Sequence, residues 1–189
     1  GPLMHELGFA LPHRGQFQRR AETTVRSFAR RLAGIALLLL RSGNEYVCTV
    51  RAGSLPLSGL MVHPGTRRPL FTSVGGVAIL QTRPEDEVRT VLLDNVAQEI
   101  ARRGTGRLDA LQKMRERSDR HGFGVNLGDV VPGLHALSVP VLDSCGDAFA
   151  ALCLIGTAEL YGEERLDDLH QELLDAAALL NADAQALNV

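Results

Sequence analysis

Four side chains in the C-terminal half of the chain could do covalent chemistry: His135, Asp143, Cys145 and Cys153. Read as nucleophile, base and orienting acid, they would make a thiol-dependent transferase or hydrolase. That chemistry needs the nucleophile and base within hydrogen-bond reach. The spacing denies it. Alternation along a strand puts His135 on the face opposite Leu134 and Ala136, and Cys145 falls in a turn far along the hairpin. The histidines His5, His13, His63, His121, His135 and His170 are scattered without metal-ligand spacing, so no metal site is expected, and His63 sits in a loop that closes over its neighbours. A different chemistry is offered by Thr72-Ser73-Val74-Gly75-Gly76. Thr72 or Ser73 is an N-cap, and Val74 to Gln81 is a short helix. The free N–H groups and positive dipole end of such a helix suit an anion. Gly75 and Gly76 leave a ligand room, or they serve only to let the helix approach a sheet closely.

The stretch that has to position these residues runs from Gly122 to Gly156. Leu134 to Leu142 and Phe149 to Ile155 are apolar nearly throughout, and Asp143-Ser144-Cys145-Gly146-Asp147 between them is dense in turn formers. An antiparallel hairpin follows, covered on both faces or lining a pocket with one. Upstream, helical periodicity from Gln16 to Leu32 puts Phe17, Ala21, Val25, Phe28, Ala29 and Leu32 on one face. Ile35 to Leu40 and Glu45 to Arg51 read as paired strands around Arg41-Ser42-Gly43-Asn44, and a third strand is expected over Leu57 to Val62. His63 to Pro69 reads as loop. Thr82-Arg83-Pro84-Glu85 is a capping box that opens a helix with Val88, Val91, Leu92, Val96 and Ile100 inward. A second helix, about Arg107 to Arg120, turns Leu108, Leu111 and Met114 inward, and a last one, about Arg165 to Leu187, carries a long apolar stripe that covers a sheet or joins a dimer interface.

Composition bounds the reading. The 189 residues, 45% hydrophobic with a net charge of -2, fit one globular domain and give no basic footprint for nucleic acid. The apolar run Ile35 to Leu40 is too short to cross a bilayer. Cys48, Cys145 and Cys153 are odd in number and lack CxxC spacing, which points to a reducing, cytoplasmic setting. Residues 1–15 read as a tag scar (Gly1-Pro2-Leu3) and a loose lead-in punctuated by Pro12 and Gly15. Residues 16–189 read as one domain. The order of elements is α+β, an antiparallel sheet of about six strands with segregated helices.

Gly122-Phe123-Gly124-Val125, then Gly133-Leu134, Ala136-Leu137-Ser138-Val139-Pro140-Val141, Asp143, Gly146 and Ala150-Ala151-Leu152 before Gly156 resemble, in order, the end of the effector-binding domain of IclR-type bacterial transcriptional regulators. Pro69-Leu70, Thr72-Ser73, Gly76, Ala78 and Leu80 resemble a second block of that family. The resemblance runs from about Phe17 to the C-terminus. It implies a GAF-related, profilin-like fold whose concave sheet face and third-strand loop enclose a small-molecule site. Transferred residue by residue, the site is lined by Leu57, Leu60, Val74, Gly75, Asn126, Leu134, Ala136, Cys153 and Ile155, with Ser73 and Gly76 beside them. Relatives that bind small α-keto acids place an acid where Asn126 stands, a cysteine at Ala136, serines at Cys153 and Ile155, and small residues at Val74. Thiol and isoleucine are poor partners for a carboxylate, so the expected effector is a more apolar or aromatic carboxylic acid, held by the N–H groups near Val74 to Gly76.

The resemblance thus implies a ligand-sensing and oligomerisation domain, dimeric or tetrameric, with no cofactor, no catalytic residues and no membrane contact. DNA would be met only through a winged helix-turn-helix that these residues do not contain, so the chain reads as an excised regulatory domain. A ligand-free oligomerisation module is the alternative. A GAF-related sulfoxide reductase would have to use Cys153, which has no resolving partner.

Overall fold

In the computed structural model, strands β5 (Leu134–Leu142) and β6 (Ala148–Thr157) form the hairpin at the centre of the fold. Their turn is built by Asp143. Its Oδ1 accepts from the amides of Cys145 and Asp147, and its own N–H donates to the Asp147 carbonyl. Gly146 takes the left-handed conformation the turn needs, at φ +83°. The backbone is described for residues 2–189 and side chains for residues 13–189, so Gly1 of the expected tag scar lies outside the described residues.

On the far side of β6 lie β1 (Ile35–Ser42), β2 (Glu45–Ala52) and a three-residue edge strand β3 (Arg67–Pro69); beyond β5 lies β4 (Gly124–Leu127). The sheet is antiparallel in the order β3-β2-β1-β6-β5-β4. Apolar runs that show no alternation are explained by cover on both faces. One face buries Leu38, Val50, Leu137, Val139, Leu152 and Leu154 under α1 (Pro2–Leu32) and α5 (Leu166–Ala186). The other turns Leu37, Leu39, Ala136, Ala151, Cys153 and Ile155 toward α2 (Val74–Leu80), α3 (Glu85–Arg103) and α4 (Leu108–His121). Each leucine so buried contributes about 1.5–3 kcal/mol of transfer free energy.

Five expectations need correction. The first helix does not start after a loose lead-in but runs from Pro2. Pro12 removes one hydrogen bond without ending the helix, because the turns on either side continue. Leu57–Val62 is not a strand; it lies in an irregular segment whose Leu60 and Val62 carbonyls accept from Arg51 Nη1, at 3.4 and 2.9 Å, instead of a neighbouring backbone. The third strand falls in the stretch read as loop, at Arg67–Pro69, where Pro69 is tolerated at the sheet edge. The capping box does not form. Thr82 Oγ1 donates to the Ile79 carbonyl, closing the end of α2.

Finally, Ile100 does not belong to the inward face of α3: Val88, Leu92 and Val96 pack against the core with Val91 as expected, and Asn95 and Glu99 are buried beside them. Val91, Asn95 and Glu99 are buried, while Ile100 is 44% exposed. Asn95 Oδ1 accepts the Phe71 N–H and its Nδ2 donates to the Asn44 carbonyl. Glu99 takes both arms of Arg107 at 2.8 and 2.9 Å. Buried polar groups are stable in a core only when partnered in this way, and these partners fasten α3 to the β1–β2 turn and to the start of α4.

Candidate ligand cavity

Between the α2–α4 face of the sheet and its helices lies a cavity of about 340 Å³. Every strand helps to line it: Arg68 and Pro69 on β3, Tyr46 on β2, Leu37 and Leu39 on β1, Ile155 on β6, Leu134 and Ala136 on β5, and Asn126 on β4. Thr72, Ser73, Val74 and Met114 close the helix side. The Gly59–Val62 segment and Val130–Val131 lie over the top. These two loops touch, since a Cβ on Gly59 would meet Val131 Cγ1 at 2.9 Å.

Seven of the residues named from the sequence come together here: Leu60, Ser73, Val74, Asn126, Leu134, Ala136 and Ile155. Leu57, Gly75, Gly76 and Cys153 do not line the cavity. A Cβ on Gly75 would meet Leu39 Cδ1 at 2.7 Å and Cys153 Sγ at 2.8 Å, and one on Gly76 would be driven into the Leu70 carbonyl. Gly75 therefore lets α2 press onto the sheet and Gly76 lets it close on the Leu70 backbone, and Cys153 lies beneath the Gly75 contact with none of its surface exposed. The Gly75 amide is already taken by Ser73 Oγ at 3.1 Å. What the amides near Val74 to Gly76 offer an anion is reduced accordingly.

On the β4 side of the cavity, Asn126 is held by a network. Its Oδ1 accepts the Asp129 N–H at 2.9 Å, and the Asp129 carboxylate takes both arms of Arg117 and the Leu127 amide. Burial pulls the Asp129 carboxyl upward, but the Arg117 and Leu127 hydrogen bonds outweigh it and leave it below its usual value. With Oδ1 committed, the Nδ2 donor of this lining residue is left without a protein acceptor among the described residues.

The residues that sequence reading missed are the polar ones at the other end. Tyr46 is 2% exposed, and burial pushes its phenol up to about 12 although Thr72 and Arg68 act the other way. Arg68 is its direct partner across the ladder. Arg102 and Arg103, at the C-terminus of α3, stand at the rim with the Glu99–Arg107 pair. No local pattern marks these residues, because cross-strand register and the end of α3 bring them together.

The side chains that suggested covalent chemistry are apart. His135 Nδ1 lies 2.7 Å from the Tyr161 carbonyl on the α1–α5 side, and Cys145 is exposed in the hairpin turn. Burial pushes the Cys153 thiol up to about 12, far from the thiolate a nucleophile requires. Among the described residues, no three His, Cys, Asp or Glu side chains gather as metal ligands, and no helix is long and apolar enough to cross a membrane.

A six-stranded antiparallel sheet with helices on both faces and a loop-covered cavity of small-molecule size on one defines a domain of the α+β class. The chain belongs to the bacterial transcriptional regulator IclR C-terminal family, whose model matches residues 12–182. It is similar to the HTH-type transcriptional repressor AllR of Escherichia coli K12, at 25% identity over 138 residues, 73% of this chain and 51% of that protein. To the HTH-type transcriptional regulator KdgR of the same organism it is 28% identical over 118 residues, 62% of this chain and 45% of that one. The chain thus spans about half the length of these curated relatives. Among solved structures, Thermotoga maritima IclR superposes with a TM-score of 0.71 at 19% identity, covering 98% of this chain and 75% of that one. The C-terminal domain of E. coli KdgR gives 0.69 at 24% identity, covering 89% and 98%. These likenesses establish the fold.

Proposed function

We propose that this chain is the ligand-sensing domain of an IclR-type transcriptional regulator, and that its cavity binds a small, largely apolar or aromatic carboxylic acid. The observation that carries the reading is the cavity itself. It is lined by Leu37, Leu39, Leu60, Leu134 and Ile155, with a few fixed polar groups at its edges, and this is the make-up of a small-molecule site. Isoleucine at position 155 makes the middle of the cavity a poor host for a small polar acid, whose oxygens would each go unpaired at a cost of about 1–3 kcal/mol. Occupancy of the cavity bears on the two loops above it and on α2 and α4, so a ligand that prefers one arrangement of these elements shifts their population. In the whole regulator that shift passes to paired winged helix-turn-helix domains and changes their fit to an operator. The domain acts in the cytoplasm, without cofactor and without catalysis of its own.

The exposed Leu93 on α3, and Leu174 and Leu179 on α5, favour a concurrent role in assembly as a dimer or tetramer. As a ligand-free module the domain would need no cavity of this kind.

A thermal-shift panel of carboxylic acids, from glyoxylate to aryl and alkyl acids, tests the reading. A ligand at a hundredfold its Kd adds about 2.7 kcal/mol, a rise of several degrees. The bulky acids should raise Tm more than glyoxylate or pyruvate, and Ile155→Ser should reverse that order. A flat panel from folded protein would contradict the sensor reading.

A further inference from the structure

Two of the arginines close to the cavity already have carboxylate partners. Arg41 is held by Glu87 at 2.9 Å, and Arg107 by Glu99. Arg68 is different. It is half-buried and lines the cavity beside Tyr46, and one Nη donates to the Arg67 carbonyl at 2.6 Å. Among the described residues no carboxylate lies within ion-pair distance of it. Arg102 and Arg103 add two exposed cations at the same rim, so four lining arginines face one lining carboxylate, Glu99. A partly desolvated guanidinium with free N–H groups is the strongest anion partner a side chain can provide.

The ladder fixes how far this cation lies from the apolar end. Asn126 is in register with Ala136, Ala136 with Ile155, and Ile155 with Ile35 on β1. Tyr46, the cross-strand partner of Arg68, is in register with Arg41 on β1. Ile35 and Arg41 are six residues apart, about 20 Å along an extended strand. A cavity of about 340 Å³ drawn out over that distance is a trench and not a sphere.

We infer that the trench takes an elongated amphipathic acid lying head-outward. Its carboxylate sits on Arg68, next to the Tyr46 and Thr72 hydroxyls, and its apolar body runs over Leu39, Leu37 and Ile155 toward Ala136. Asn126, whose Nδ2 has no protein acceptor among the described residues, receives any acceptor at the far end. This inference rests on the sensor reading above. It adds the orientation, the anchoring residue and the chain-length dependence of the ligand.

Calorimetry of the chain with straight-chain carboxylates from butanoate to hexadecanoate, each kept below its micelle threshold, tests it, using wild type, Arg68→Gln and Ala136→Phe, each checked for native circular dichroism. In wild type, affinity should rise about fourfold per methylene until the trench is full. Arg68→Gln should lower affinity by between about tenfold and a hundredfold at every length and leave the slope unchanged. Ala136→Phe should leave butanoate alone and stop the rise at a shorter chain. A flat series, an unchanged affinity in Arg68→Gln, or an Ala136→Phe loss already complete at butanoate would each overturn the inference. If aryl acids bind and alkyl acids do not, the head-outward inference falls and the sensor reading stands. If no acid of either kind binds, both fall.

Discussion

At the scale of single residues, the cavity separates groups that look alike in the sequence. Cys145, Cys48 and Cys153 are three thiols in three settings: Cys145 is exposed, while burial pushes Cys48 up to about 11 and Cys153 up to about 12. In the native chain at neutral pH, a thiol reagent should therefore label one cysteine rapidly, and all three only in denaturant. Rapid labelling of Cys153 would mean that α2 does not seal it. Asn126 and Arg68 make the complementary point. Each is a polar side chain on an otherwise apolar surface. Asn126 is fixed by Asp129 and Arg117, and Arg68 is left with donors to spare.

At the scale of elements, α2 decides where the cavity can be. It is a seven-residue helix, buried along its whole length, that rests on β5, β6 and β1, closing on β1 and β6 at Gly75 and on the Leu70 backbone at Gly76. Gly76→Ala drives a methyl into backbone and should cost well over 2 kcal/mol in urea unfolding, despite the helix-propensity gain of about 1 kcal/mol. Gly75→Ala meets the ends of Leu39 and Cys153 and should cost less, and Cys153→Ala in the same chain should relieve part of that cost. Equal costs for the two glycines would contradict this packing.

How much of these elements could be read in advance follows from the range of the forces that make them. The β5–β6 hairpin and α5 were legible, because apolar periodicity and turn formers are local signals. The apolar part of the inward α3 face, Val88, Val91, Leu92 and Val96, was legible too, but its polar part was not, because Asn95 and Glu99 are buried by partners at Asn44, Phe71 and Arg107 that only the fold supplies. Strand β3 was hidden for a related reason, since three residues ending in proline resemble a loop until β2 pairs with them. In the cavity, the sequence pointed to the apolar strand positions and Asn126. It did not show Tyr46 and Arg68, which face each other only through register.

At the scale of the whole molecule, α3 is tied to the sheet at its start and to the start of α4 at its end. Its start is held where Glu87 receives Arg83 at 2.8 Å and Arg41 at 2.9 Å. The Arg83 and Arg41 hydrogen bonds hold the Glu87 carboxyl down at about 2, against an ordinary value of 4.5. A depressed carboxylate stabilises the fold fully above its unfolded pKa, and the gain is lost as pH falls from 4.5 through 2. With the side chain 32% exposed, solvent screening reduces the effect to about 1 kcal/mol. Glu87→Gln should be less stable than wild type at pH 7, and the gap should close by pH 2. A gap that persists at pH 2 would assign the loss to packing and not to charge. At its other end α3 delivers Glu99, Arg102 and Arg103 to the cavity rim, so a ligand there is coupled to a helix anchored at both termini.

A domain that senses a small molecule should hold it in the trench between the sheet and α2–α4. The most direct measurement is amide chemical-shift mapping of the isotopically labelled chain, titrated with the acid that stabilises it most. The expected result is a saturable set of shifts at Tyr46, Leu60, Thr72, Asn126 and Ile155, with the outer faces of α3 and α5 unmoved. Shifts concentrated around Leu93, Leu174 and Leu179, with the trench residues silent, would contradict the claim.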